Sequence, residues 1–223
     1  MNTRNLLSIV SLAFAWPGAA LAQDAVKTDP SHYAVVLENA SVRILKINYA
    51  AGGKSIMHSH PDSIVIPLSA SKVRFALPDG KSQDSDLATE SGMYTPAGMH
   101  NPTNVGTGPV DALLVEFKSK TPGKAALPTS RPEMTVKVLA EGPYGTAYRS
   151  TASAAFAEPA GSKHDFDQVV IALGPGPISL SIDGKPAKTT WARGDVQFIG
   201  RGVAHESRNT GGKPVDMVIV VIK

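Results

Sequence analysis

Apolar residues recur along the chain in short runs, each ended by Gly, Pro or Asp-Gly. Val42–Tyr49, Ser63–Leu68, Val73–Leu77 and Leu113–Phe117 form one set, and Val169–Leu173, Ile178–Ile182, Val196–Ile199 and Met217–Ile222 a second. None is long enough, or shows the i, i+3, i+4 spacing, to argue for a helix, so the pattern predicts short β-strands throughout. Asp79-Gly80 and Asp183-Gly184 fit hairpin turns, because Gly accepts the positive φ that a tight hairpin needs. The last run, Met217–Ile222, is apolar at successive positions, which predicts burial on both faces, between units or between chains.

The two sets of runs repeat. Gly106, Pro109, Val110, Asp111, Val115 and Lys118 recur as Gly211, Pro214, Val215, Asp216, Val220 and Lys223, at an offset of 105. On the same diagonal, within one residue, Asn104 matches Asn209, His100 matches His205, His58 matches His164, and Asp79-Gly80-Lys81 matches Asp183-Gly184-Lys185. Five matches in order predict a duplicated architecture of two tandem all-β units of sandwich or barrel type. The units span 33–118 and 133–223, with the Pro- and Lys-bearing stretch 119–132 as linker.

Composition narrows the chemistry. With 22 Lys and Arg against 19 Asp and Glu, the net charge of +3 is small. No cluster of basic residues with interleaved aromatics is present, so nucleic acid is not an expected partner. The chain of 223 residues has no Cys, which excludes thiolate nucleophiles, disulfides, Fe–S clusters and thiolate zinc sites. Residues 1–22 combine Arg4, an apolar stretch from Leu6 to Trp16, a Pro17-Gly18 break and Ala20-Leu21-Ala22. That order predicts a secretory signal peptide cleaved after Ala22, a periplasmic or secreted mature protein, and no membrane insertion after cleavage.

Metal chemistry, if present, must then run on imidazole and carboxylate. Five of the six histidines occupy matched places in the repeat: His58, His60 and His100 in the first unit, His164 and His205 in the second. His58 and His60, two apart on an extended strand, face the same way. His100 follows the turn Pro96-Ala97-Gly98-Met99 and brings a third imidazole from another strand. Three neutral imidazoles with open positions suit a divalent ion, and Fe, Mn, Ni, Zn and Cu all accept such a set. Glu116, whose repeat partner is Val221, reads as a strand-edge surface acid before a pocket base. Met57, Met93, Met99 and Tyr94 flank the histidines as candidate walls.

These residues carry a family resemblance. Gly52, five intervening residues and then His58-Ser59-His60, followed by an apolar strand, resemble the first cupin motif. Gly92, then Pro96-Ala97-Gly98-Met99-His100 and Asn104, resemble the second, and Gly194 to Asn209 matches it again with Gly200 in place of the usual Pro. The chain is therefore similar to a bicupin, which implies two tandem double-stranded β-helix, or jelly-roll, barrels. In that comparison the usual Glu ligand falls on Ser63, next to Asp62, a candidate stand-in. In the second unit the middle His is Phe166 and the Glu position is Gln168, leaving His164, Gln168 and His205 as a weaker second site. The resemblance, which extends to quercetin-cleaving dioxygenases and to small H-x-H-P-D cupin proteins, implies a metal-dependent oxidoreductase of dioxygenase type acting on a small organic substrate. The alternatives are a cupin that binds metal or a small ligand without turnover, and one whose histidines are relics. Homo-oligomers are compatible with either.

Overall fold

The computed structural model describes residues 23–119 and 121–223, so the segment read as a signal peptide lies outside the described residues. Among the described residues the fold is all-β apart from one turn of helix, α1 (Ala25–Thr28), capped by the Asp24 carboxylate, which accepts from the Val26 and Lys27 amides. The first half forms β1 (Tyr33–Glu38), β2 (Val42–Tyr49), β3 (His58–His60), β4 (Ser63–Pro67), β5 (Ser71–Ala76), β6 (Ser82–Leu87), β7 (Met93–Thr95), β8 (Gly98–Asn104) and β9 (Val110–Phe117). The second half repeats the series as β10 (Met134–Glu141), β11 (Gly145–Ala152), β12 (Ala157–Ser162), β13 (Asp167–Ala172), β14 (Ile178–Ile182), β15 (Lys185–Lys188), β16 (Val196–Ile199), β17 (His205–Asn209) and β18 (Val215–Ile222).

All the pairings between these strands are antiparallel. They build a five-stranded sheet β1-β2-β9-β4-β7 and a four-stranded sheet β3-β8-β5-β6, then a second pair ordered β10-β11-β18-β13-β16 and β12-β17-β14-β15. The predicted hairpins are present: Gly80 sits at φ +81° between β5 and β6, and Asp183 and Gly184 at φ +48° and +72° between β14 and β15.

The expected jelly-roll barrels are corrected by this hydrogen bonding. Among the described residues each half has two open sheets, and no sheet closes on itself. The outermost strands, among them the three-residue β3 and β7, end their ladders instead of joining the facing sheet. Apolar surface is covered by sheet facing sheet across a cavity, which needs no ring of hydrogen bonds.

The two five-stranded sheets also pack on each other. Ile44, Ile64, Leu113 and Val115 from the first meet Val169, Ile171, Val218 and Val220 from the second, all fully buried in one cluster. Polar contacts fasten its margin: Ser41 Oγ donates to Asp167 at 2.5 Å, and Arg193 reaches Glu90 at 2.9 Å while donating to the Leu68 and Leu173 carbonyls. This explains why β9 and β18 are apolar on both faces. Along β9, Leu113, Val115 and Phe117 enter the shared core, while Val110, Ala112 and Leu114 line a cavity inside the first half.

Candidate metal centre

That cavity, of about 140 Å³, lies between the two sheets of the first half. The five-stranded sheet supplies Ile47, Val65, Ala112 and Leu114, and the four-stranded sheet supplies Val73, Phe75 and His100. The wall is mainly apolar, with His60, His100, Tyr33 and Tyr49 among its polar members.

The imidazoles are brought together by strand register. β3 presents His58 and His60 on one face, and β8 places His100 directly across from His58. One nitrogen from each of the three rings lies within 4.8 Å of the others, with ring centroids 4.9 to 5.4 Å apart. His58 is fully buried and His60 nearly so.

Second partners fix which ring atoms are free. His58 Nδ1 is 2.8 Å from the Ile56 carbonyl, which can only accept, so Nδ1 carries the proton and Nε2 keeps its electron pair. His60 Nδ1 lies 2.6 Å from Glu116 Oε1, and Glu116 is 1% exposed. The other Glu116 oxygen accepts from Arg43 Nε at 2.5 Å, and Arg43 pairs in turn with Asp24 at 2.5 Å. A carboxylate holding the rear nitrogen of an imidazole orients the ring and raises its basicity toward a metal. Burial, reinforced by the neighbouring imidazoles, pushes His100 down to about 3. Burial also lowers His58. These two rings are neutral at ordinary pH, the state a metal ligand requires.

The donor set therefore fits a divalent metal. Glu116 is not the surface acid that its sequence suggested, and the signal was present: it is a charged residue whose repeat partner, Val221, is apolar. Asp62 is turned to Tyr94, whose hydroxyl donates to it at 2.9 Å. Ser63, at the expected carboxylate position, bonds Thr95 at 2.8 Å. Met93 lines the cavity as expected, whereas Tyr94 stacks on Phe117 at 6.1 Å beside the shared core.

Sequence reasoning also passed over Tyr33. Its hydroxyl lies 3.0 Å from His58 Nε2 and 2.8 Å from the Tyr49 hydroxyl. Burial, the largest cause, raises both phenols, Tyr49 to about 12. They remain neutral hydrogen-bonding groups.

The second half holds a smaller cavity of about 100 Å³. His164, Gln168 and His205 all line it, and the acid that joins the two imidazoles is Glu158. Glu158 comes from β12, ahead of the matched motif, so the repeat alignment did not mark it. Its two oxygens lie 3.5 Å from His164 Nε2 and 3.4 Å from His205 Nε2. His205 Nδ1 is 3.1 Å from the Val203 carbonyl, so in the neutral ring Nε2 turns an electron pair toward a carboxylate. That atom is buried without a hydrogen bond, as is Ser150 Oγ in the same cavity. A cation among the three donors resolves the contact, since ligands roughly 2.1 Å from a tetrahedral ion lie about 3.4 Å from one another. A proton on His205 is the other resolution, and Glu158 does raise that imidazole. Glu158 itself is held well below the usual carboxylate range: burial would raise it, and the attraction of the adjacent His164 and His205 imidazoles outweighs that. Phe166 stacks flat on His164, with centroids 5.0 Å apart. Linker residues Ala125 and Leu127 pack against the same small cluster as Phe166. Both halves thus contain buried groups capable of coordinating a divalent ion.

No family model matches the sequence, and no curated protein does. Solved structures match closely in shape. AerE from Microcystis aeruginosa superposes with a TM-score of 0.64 at 13% identity, over 86% of this chain and 97% of that one. A variant of the oxalate decarboxylase of Bacillus subtilis gives 0.63 at 12%, over 85% and 71%. A variant of salicylate 1,2-dioxygenase from Pseudoaminobacter salicylatoxidans gives 0.61 at 10%, over 82% and 70%. A cupin-2 conserved barrel domain protein from Leptotrichia buccalis is among the same matches. At these identities the likeness is one of fold, and the fold is that of a bicupin.

Proposed function

We propose that the first half holds one divalent metal ion on His58, His60 and His100, and that the chain is an exported, metal-dependent oxidoreductase acting on a small organic molecule. The observation that carries this reading is the convergence of three imidazoles, one of them braced by the buried Glu116 carboxylate, with His60 and His100 on the wall of a mainly apolar cavity. Dioxygenase chemistry is its finer form. The fold neighbours include an oxalate decarboxylase and a salicylate dioxygenase, which supports a small-molecule substrate by analogy of fold.

A bound metal would supply Lewis acidity and open positions for an oxygen ligand. The chain's own residues divide the remaining tasks. Glu116 holds the proton on His60 Nδ1, and the Ile56 carbonyl holds the one on His58 Nδ1. Val65, Val73, Phe75 and Leu114 exclude water and bind the apolar body of a substrate. The second cluster, around Glu158, is proposed as a subordinate metal site.

Metal analysis of the purified chain, followed by oxygen uptake across a panel of phenolic acids and diketones, tests the reading. About one metal lost per chain on His58→Ala supports the centre. A metal-loaded protein that turns over none of the panel leaves a binding protein and overturns the enzyme.

A further inference from the structure

Donor and acceptor counting around Tyr33 has a definite outcome once the His58 electron pair is engaged. Without a cation, His58 Nε2 is an acceptor, because Nδ1 is protonated toward the Ile56 carbonyl. The Tyr33 hydroxyl, 3.0 Å away, must therefore donate to it. Tyr33 has then spent its proton, so the Tyr49 hydroxyl, 2.8 Å away, donates to Tyr33. Both phenols are about 3% exposed, and a proton stranded on either is costly.

A metal on His58 takes the pair that Tyr33 was using. The Tyr33 oxygen still accepts from Tyr49 at 2.8 Å, as it does in the structure. His32 also stacks flat on the Tyr49 ring at 4.3 Å, which holds the phenol in place. The freed Tyr33 proton turns to the remaining space, the cavity that its own ring lines.

We propose that Tyr33 is the ligand-anchoring residue of the centre, donating a hydrogen bond to an acceptor oxygen, carboxylate or carbonyl, lodged beside the three imidazoles. This deepens the metal reading above and rests on it. The chemistry selects a ligand with one acceptor head and an apolar body, since Val73, Phe75, Leu87 and Leu114 line the same cavity. The role belongs to the first half only. Strand pairing sets Tyr33 opposite Ile47 and Tyr49 opposite Val110, and the equivalent pairs in the second half are Val136 with Ser150 and Ala152 with Val215.

The test uses the mature chain loaded with Co²⁺, whose visible absorption reports the ligands around it, and benzoate as the probe. Wild type should take up cobalt and shift its spectrum on adding benzoate. Tyr33→Phe should keep the cobalt stoichiometry and lose about tenfold in benzoate affinity, the worth of a hydrogen bond to a charged acceptor. Tyr49→Phe should lose less, in the same direction. Undiminished benzoate binding by Tyr33→Phe overturns the proposal while leaving the metal centre standing. A new phenolate charge-transfer band in the Fe³⁺-loaded wild type that vanishes in Tyr33→Phe also overturns it, because Tyr33 would then be a ligand. A wild-type chain that takes up no cobalt removes both this role and the metal reading.

Discussion

Glu116 Oε1 sits 2.6 Å from His60 Nδ1, and its second oxygen sits 2.5 Å from Arg43 Nε. One buried carboxylate thereby connects a candidate metal ligand to a guanidinium on β2. Replacing it by the neutral amide, Glu116→Gln, keeps the shape and removes the charge. Metal affinity of the first site should fall about 10- to 100-fold, the usual cost of losing such an outer partner. Competition against a chelator measures this, with circular dichroism as the folding control. An unchanged affinity would mean that Glu116 serves Arg43 alone.

The two clusters make separate predictions about metal count. His100→Ala should abolish the site in the first half and leave the second. Glu158→Gln should do the reverse, while Gln168→Ala should leave both counts intact. Stoichiometry by elemental analysis after equilibrium dialysis against Zn²⁺ decides the matter. Retention of the second ion in Glu158→Gln would assign the His205 contact to an ordinary ion pair.

Acid should loosen the metal-free protein through the first cavity. His100 is held at about 3 against an ordinary 6.5, and His58 is lowered as well. Below pH 6.5 the unfolded chain therefore binds protons that these two rings refuse in the native state. Stability from His100 is full above 6.5 and falls as pH drops toward 3, by about 1.4 kcal/mol per pH unit, and His58 contributes in the same direction. His205 works in the opposite sense: its raised value adds stability that is full below 6.5 and lost as pH rises past it. Urea denaturation from pH 7 to pH 4 should show a net decline, which His100→Asn flattens. A wild-type profile that rises on acidification would contradict this.

Ile64 and Ile171 are fully buried in the cluster shared by the two five-stranded sheets. Truncating either to Ala should cost about 2–5 kcal/mol. Because both contribute to one core, each variant should still unfold in a single denaturant transition, with both halves lost together. Two separated transitions in either variant would show that the halves are held independently.

The sequence carried the strands well where alternation or continuous apolar runs dominated. β2 and β14 fall where the runs Val42–Tyr49 and Ile178–Ile182 placed them, and the two Asp-Gly turns follow from backbone sterics alone. The three clustered imidazoles were legible because a two-residue spacing on a strand and a repeat match are both local signals. What the sequence hid was long-range. Glu116 and Arg43 are 73 residues apart, and Tyr33 reaches His58 across 25. Glu158 stands in a stretch whose repeat partner has no acid. The barrel expectation failed for a related reason. Closure depends on whether edge strands such as β3 and β7 find partners, and residue pattern does not encode the end of a hydrogen-bond ladder.

β9 places Ala112 and Leu114 against the cavity and Leu113 and Val115 against the other half. The first half cannot be cut away as a free-standing fragment. Alone it would turn a dry sheet face, with Ile44, Ile64, Leu113 and Val115, toward water, and such a patch invites self-association. The duplicated half, poorer in imidazole, covers that face with Val169, Ile171, Val218 and Val220, so the integrity of the histidine-bearing half depends on residues that lie outside it.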